Sequence, residues 1–334
     1  MKKSSGQKKI SYGIIGCGDV FLKHAEAVRK NPESRLAAVF DIRKSRGRAA
    51  SLRYRCEAKP AIEAMLGDKN IDVVGLCTPH NIHKQQVLKT IRAGKHCICE
   101  KPFCLNSRDG RAILRDKHCR KNIFVVFQVR FHPAVQFLLH LIRAGELGKI
   151  RLCTVNVRKN RDNIYFKNDW RKSRKKAGGI LFSHGIHALD LMFKICGRPK
   201  TVCGFMKNVR KFTDIEDFCL ASVEFENGAL GSIEVTTYAK NRNYENSIFV
   251  IGDRGSIKIG GCAFDKIEYL NLADGRGMKE ITGARRNGHE RFIAAVNDYL
   301  LRRRRHIDLP FAEDGMRVAA FIEKIYRKIA RQPA

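Results

Sequence analysis

The sequence has no uninterrupted apolar stretch approaching about 18 residues, which excludes an ordinary membrane-spanning helix. It has no Cys-x-x-Cys, despite twelve cysteines. Metal binding by cysteine spacing is therefore not expected. Cys97 and Cys99 alternate within an apolar run, and Cys77, Cys153 and Cys219 sit in others. They read as small buried hydrophobes of a protein in a reducing, cytoplasmic compartment. There is no helix-turn-helix signature, zinc finger or aromatic RNA-binding motif. There is also no internal repeat and no low-complexity linker.

Acidic residues are few: 33 Asp and Glu stand against 65 Lys and Arg, a formal net charge of +32. Such a field attracts polyanions and keeps copies of the chain apart. The basic clusters at Lys2–Lys9, Arg43–Arg55, Arg171–Lys176 and Arg302–Arg305 are scattered rather than gathered on one amphipathic element. A solvated basic surface accounts for them better than nucleic-acid binding. An anionic substrate would suit the same charge.

What is present is a globular composition, 44% apolar and 29% charged over 334 residues, enough for two domains. The basic start at Met1 runs into an apolar segment too brief for a leader, so Ile10–Gly16 reads as a first strand. Strand and helix patterns then alternate. The helical segments are Val20–Lys30, Ile82–Ala93 and Ser107–Cys119. The strand segments are Arg35–Asp41, Ile71–Thr78, His96–Lys101 and Asn122–Gln128. Strands alternating with helices imply parallel βαβ units. After residue 128 the character changes. A helix at Pro133–Ala144 precedes a strand at Ile150–Arg158 and a helical pattern over Lys176–Cys196. Consecutive strands with short turns follow from Val202 to Leu272, which argues for an antiparallel sheet. Two helices, near Glu290–Leu301 and Asp314–Ala330, close the chain. The expected fold is α/β, with a nucleotide-binding domain over 1–128 and a second α/β domain with an open, mostly antiparallel sheet over 129–334.

Gly16-Cys17-Gly18-Asp19-Val20 lies between the first strand and the first helix. Gly16 permits a tight turn, and Gly18 lets backbone approach a pyrophosphate at a helix N-terminus. Phe21 stands where the dinucleotide fingerprint has its third glycine, the one that allows close helix–strand contact. Asp41 ends the second strand, where an acid bonds ribose hydroxyls and repels a 2′-phosphate, favouring NAD. Arg43 and Lys44 follow closely enough to leave NADP open. Thr78-Pro79-His80-Asn81-Ile82-His83 follows the strongest strand, with Asn81 suited to cap the next helix.

Glu100-Lys101-Pro102 puts a charged pair at the mouth of an apolar strand, where an open α/β sheet binds its ligands. In the second half, Gly178-Gly179 precedes Ser183, His187 and Asp190, spaced i, i+4 and i+7 on one helical face. A histidine beside a carboxylate on a polar stripe is a candidate base. His184 points elsewhere and reads as structural.

Gly-x-Gly, Thr78-Pro79 with His83, Cys99-Glu100-Lys101-Pro102, Gln128-x-Arg130 and Gly178-Gly179…His187-x-x-Asp190 occur in the order of one family. With them the chain resembles the glucose–fructose oxidoreductase/inositol dehydrogenase/MocA (Gfo/Idh/MocA) family over nearly its whole length. Asn227-Gly228 and Gly252-x-x-Gly255-Ser256 look like hairpins of that family's C-terminal sheet. The resemblance implies NAD(P)-dependent oxidation or reduction of a secondary hydroxyl of a sugar, with Lys101 and His187 as the catalytic pair. It implies cofactor contacts from Gly16, Cys17, Gly18, Asp19, Val20, Asp41, Arg43, Thr78, Pro79, His83, Glu100, Lys101, Gln128, Trp170 and Arg171. A homo-oligomer built on the open sheet face is also implied. Ser183 departs from the pattern, since many members carry Asp there.

The run from Tyr165 to Lys172, with Lys175 and Lys176 after it, looks like the branch that oxidises C3 of UDP-N-acetylglucosaminuronate. Substrate contacts would then come from Lys101, Arg130, Tyr165, Lys167, Ser183, His187 and Asp190, with an anionic nucleotide sugar as ligand and no metal. Inositol or free-aldose oxidation is the neighbouring alternative. A nucleotide-binding regulator that has lost the chemistry is the alternative of another class.

Overall fold

The computed structural model describes residues 9–119, 122–277 and 287–330. Residues 2–8 of the first basic cluster lie outside them. Two compact units divide the chain. The first holds the described residues up to Phe103, then Arg108–Gln128 and Gly288–Glu313. The second holds Cys104–Ser107, Val129–Asn287 and the described residues from Asp314 onward. Residues 288–313, assigned from the sequence to the second domain, thus pack within the first unit.

The first unit is built on six strands: β1 Ile10–Ile15, β2 Ser34–Phe40, β3 Glu57–Ala58, β4 Val73–Leu76, β5 His96–Cys99 and β6 Ile123–Val125. All pairs are parallel, in the order β3-β2-β1-β4-β5-β6. This is the doubly wound order, with its switch point between β1 and β4. β1, β4 and β6 are buried on both faces because helices cover both sides of a parallel sheet. Two helices escaped the apolar pattern. Lys44–Tyr54, read as a basic cluster, is a helix burying only Gly47 and Ala50, and Ile62–Gly67 is a short one.

The returning helix Gly288–Arg302 is held by Asn297. Its Oδ1 accepts from the Tyr12 hydroxyl at 2.5 Å, and its Nδ2 donates to Ser34 Oγ at 2.7 Å. Beyond it, Pro310 O accepts the Val125 amide at 3.1 Å, extending the edge of the sheet.

The second unit has seven strands: β7 Ile150–Arg158, β8 Pro199–Lys207, β9 Phe218–Phe225, β10 Leu230–Thr236, β11 Glu245–Gly252, β12 Gly255–Gly260 and β13 Lys266–Leu272. Their order is β13-β12-β11-β7-β10-β9-β8, and every pair is antiparallel except β7 with β10. One face is covered by helices, including Ile186–Cys196 over β7. The alternation of β9, with Cys219, Ala221 and Val223 buried between exposed Leu220 and Ser222, leaves the other face open. Across that face Phe205 pairs with Leu220. No helix of the described residues is long and apolar enough to cross a membrane. All twelve cysteines are free thiols.

Candidate active site

The strand register sets the rim of the first unit. Ile15 pairs with Leu76, and Leu76 with Cys99, so the loops that follow them lie side by side along the carboxyl edge of the sheet. Gly16 has φ +95°, and a Cβ there would stand 2.5 Å from Cys77 O. Both the backbone and the space demand glycine. At Gly18 a Cβ would meet no atom within 4 Å, so that side of the loop is open for the approach of a phosphate. Asp41 closes the loop from β2. Its Oδ2 accepts the Cys17 amide at 2.7 Å and its Oδ1 the Arg43 amide at 2.8 Å. Cys17 contributes its amide and not a thiolate, because burial and the Asp41 carboxylate push its thiol up to about 12. Asp19 is exposed and Val20 half-buried at the head of the helix Phe21–Lys30. The glycine turn, the open side of Gly18 and the carboxylate after β2 fit a dinucleotide.

Phe21 explains the missing third glycine. It is 2% exposed and clusters with Ile14, Ala25, Val39 and Ala50, its ring edge-on to Tyr54 at 5.6 Å. The first helix is packed on β1 and β2 through a phenyl ring instead of by close backbone approach.

The next two loops are tied together by His83. Its Nδ1 lies 2.7 Å from Pro102 O and its Nε2 lies 2.9 Å from Thr78 O. The ring is fully buried, so in this structure His83 braces two strand-end loops. Burial lowers its pKa and outweighs the two carbonyls and Glu100, which pull the other way. Thr78 Oγ1 donates to Gln86 Oε1 at 2.5 Å. Asn81 does not cap the helix His83–Arg92; a single 3₁₀ turn, His80–Ile82, leads in, and Ile82 takes the cap position without a side-chain bond. Lys101, half-buried, donates its backbone N–H to Glu100 Oε2 at 3.1 Å. Gln128 ends the first unit's second segment.

In the second unit, Leu181–Gly185 forms a π-helical turn that runs into the helix Ile186–Cys196. Ser183 lies in this wide turn, and His187 lies in the first turn of the helix that follows. Both are half-buried, whereas Asp190 is 2% exposed. Arg130 takes up Asp190 in a bidentate pair, Nε to Oδ2 at 2.8 Å and Nη2 to Oδ1 at 2.6 Å. Burial alone would lower the Arg130 pKa; Asp190 and Asp314 override it and push it up. Arg130 and Asp190, both named as substrate contacts, thus neutralise each other in the interior.

Gly179 has φ +103°, and a Cβ there would stand 2.3 Å from the Tyr326 hydroxyl and 2.9 Å from Glu216 Oε1. The same two groups hold the start of the turn. Tyr326 Oη accepts the Leu181 amide at 2.9 Å and donates to Glu216, which also accepts the Ile180 amide at 3.0 Å and pairs with Arg174. His184 is buried, its ring 5.2 Å from that of Tyr165. Tyr165 itself carries two guanidiniums, Arg171 at 4.5 Å and Arg161 at 5.2 Å from its ring centre. Arg171 also stands 5.4 Å from the Trp170 ring, and Lys167 is exposed beside them. Burial, with Arg171 nearby, lowers the Arg161 pKa.

Sequence reasoning missed His24, Glu216, Tyr326 and Arg161. His24 carries no motif within the first helix, Glu216 and Tyr326 lie far along the chain from what they hold, and Arg161 is one basic residue among many. Only the Gly178-Gly179 pair hinted that something bulky packs against the turn.

Residues 10–128 match the oxidoreductase family with an NAD-binding Rossmann fold, and residues 135–258 match the GFO/IDH/MocA C-terminal domain. The inositol 2-dehydrogenase of Rhizobium meliloti (strain 1021) is 27% identical over 97% of this chain and 98% of its own length. The 2,7-anhydro-N-acetylneuraminate hydratase of Escherichia coli (strain K12) is 29% identical, over 75% of this chain and 67% of its own. Among solved structures, the WlbA dehydrogenase from Bordetella pertussis, in complex with NADH and UDP-GlcNAcA, superposes with a TM-score of 0.87 at 26% identity, covering 97% of each chain. With a doubly wound nucleotide domain, a largely antiparallel second sheet and both matches in sequence order, the chain belongs to the Gfo/Idh/MocA family of NAD-binding oxidoreductases.

Proposed function

We propose that this dehydrogenase acts on C3 of a UDP-linked hexuronate, with Lys101 and His187 at the reacting hydroxyl. The observation that carries the catalytic part is Lys101 at the carboxyl edge of the parallel sheet, its backbone anchored on a buried carboxylate. A neutral imidazole would suit His187 to take the hydroxyl proton. The Lys101 ammonium donates a hydrogen bond to the same oxygen and stabilises the developing alkoxide. Bound NAD supplies the hydride acceptor. Gly16, Cys17, Gly18, Asp19, Val20, Asp41 and Arg43 would hold it.

The anionic substrate is supported by the cluster of Arg161 and Arg171 about Tyr165, with Lys167 alongside. Two guanidiniums near one ring repel each other, and an anion between them would offset that repulsion. WlbA, of the same fold, binds UDP-GlcNAcA. A second reading, inositol oxidation, is favoured by the inositol 2-dehydrogenase that aligns from end to end. Self-association through the open sheet face is supported by Phe205 and Leu220, paired and 77% and 50% exposed.

The test is kcat/KM with NAD for UDP-N-acetylglucosaminuronate, myo-inositol and free aldoses. The UDP sugar should be preferred, and Arg171→Ala should raise its KM. A higher kcat/KM for myo-inositol, with Arg171→Ala silent, would replace this reading by the second.

A further inference from the structure

His24 lies on the helix Phe21–Lys30 and is 3% exposed. Its Nε2 stands 2.7 Å from Oε1 of Glu100, which is 6% exposed. The other oxygen, Oε2, accepts the Lys101 amide at 3.1 Å. Glu100 is anchored further by its own amide, which donates to Leu76 O at 3.0 Å on the neighbouring strand. A carboxylate at this depth is costly unless it is paired and hydrogen-bonded. Burial works to raise its pKa, but the His24 hydrogen bond and the electrostatic attraction of His24, His289 and Lys101 prevail and bring it down to about 2. Glu100 is therefore charged throughout the working range, and each of its oxygens has a separate partner.

We propose that His24 is a positioning residue for Lys101: through Glu100 it fixes the backbone from which the Lys101 side chain departs. This rests on the reading of Lys101 as the group that meets the reacting oxygen. The chain of contacts is short. The imidazole holds one carboxylate oxygen, the carboxylate holds the Lys101 amide, and His83 holds the carbonyl of Pro102 one residue on. Lys101 is thus flanked on both sides by groups that a histidine fixes. A lysine side chain is long and rotamer-rich, so a rigid starting point narrows the volume its ammonium samples.

The same residues invite another assignment. Ligand atoms of His24, Glu100 and His289 all lie within 4.8 Å of one another, the composition of a His₂Glu zinc site. The 2.7 Å between His24 Nε2 and Glu100 Oε1 favours a direct hydrogen bond over it. Two ligands bound at about 2.0–2.1 Å to a tetrahedral zinc stand about 3.3 Å apart. A separation of 2.7 Å is that of a direct charge-assisted hydrogen bond. His289 stands beside the pair, its ring edge-on to His24 at 5.2 Å.

The test uses His24→Leu and His24→Gln in the full chain. Gln keeps a neutral donor near the Nε2 position, and Leu removes it. His24→Leu should lower kcat roughly ten- to hundredfold, while KM and NADH affinity stay within about twofold. His24→Gln should recover most of that loss. The rate at which trinitrobenzenesulfonate labels Lys101, followed by peptide mass spectrometry, should change in His24→Leu and not in His24→Gln. Wild-type kcat and labelling in His24→Leu would overturn the proposal. So would equal loss in both variants with equal loss of melting temperature, which is a folding defect. One zinc per chain in the purified wild-type protein would overturn it in favour of the metal site. Absence of turnover by the wild-type chain across all alcohols would sink the dehydrogenase reading instead, and the labelling rates would then decide the hydrogen-bond chain on their own.

Discussion

Arg130 holds both carboxylate oxygens of Asp190, at 2.8 and 2.6 Å, across 60 residues of sequence. Asp190 lies on the helix that carries His187, three residues further on. The pair is almost fully buried, so each charge depends on the other. Asp190→Asn should leave the buried guanidinium with only the longer contact to Asp314, at 3.3 Å, and destabilise the protein by up to about 3–5 kcal/mol. Urea unfolding measures this directly. An unchanged midpoint would mean that the ion pair is not a brace and would free Asp190 for another role.

Phe21 occupies the place of the third fingerprint glycine but fills the core between the first helix and β2. Restoring the consensus is therefore expected to harm the protein. Phe21→Gly should cost at least about 3–5 kcal/mol, from the cavity and the flexible backbone together. A melting temperature equal to wild type would show that the helix can close on β1 and β2 without the ring.

His83 makes stability pH-dependent with a definite sign. Its folded-state pKa is lowered, so the unfolded chain takes up a proton first as pH falls. Its contribution is complete above the unfolded value of about 6.5 and is lost as pH falls through the lower folded one. Thermal melts in a series of buffers below neutrality should show a falling midpoint. In His83→Gln, which cannot titrate, that slope should flatten; an identical slope would place the dependence elsewhere.

Lys101→Met keeps the apolar stem and removes the ammonium. It should lower kcat by about 10²- to 10⁴-fold. NADH titration by fluorescence should show affinity within a few-fold of wild type, since the Gly16–Gly18 loop and Asp41 are untouched. Turnover near wild type would remove Lys101 from the chemistry.

The two-domain α/β plan was legible because its signals are local. Short apolar strands, glycine turns and the Glu100-Lys101-Pro102 tripeptide can each be read from a few adjacent residues. The helix Lys44–Tyr54 was missed for the converse reason: it buries too little to show an apolar stripe. The π-helical turn at Leu181–Gly185 was not legible either, because it leaves no mark in composition. The return of residues 288–313 to the first unit rests on Asn297 meeting Tyr12 and Ser34, more than 260 residues away.

By itself the sequence determined the alternation of strand and helix in the first half and the run of strands in the second, the glycine turn for a dinucleotide, the lysine at a strand mouth and the family. The elements follow from backbone preferences and apolar periodicity, which depend on near neighbours in the chain, and the family from motifs in a recognisable order. Only the tertiary structure decided which polar groups are taken. Asp190 belongs to Arg130, Glu100 to His24, Glu216 to Tyr326 and Arg174, and Phe21 to the core. A buried charge selects its partner by distance in a medium of low dielectric, and that distance is set only once the chain has folded.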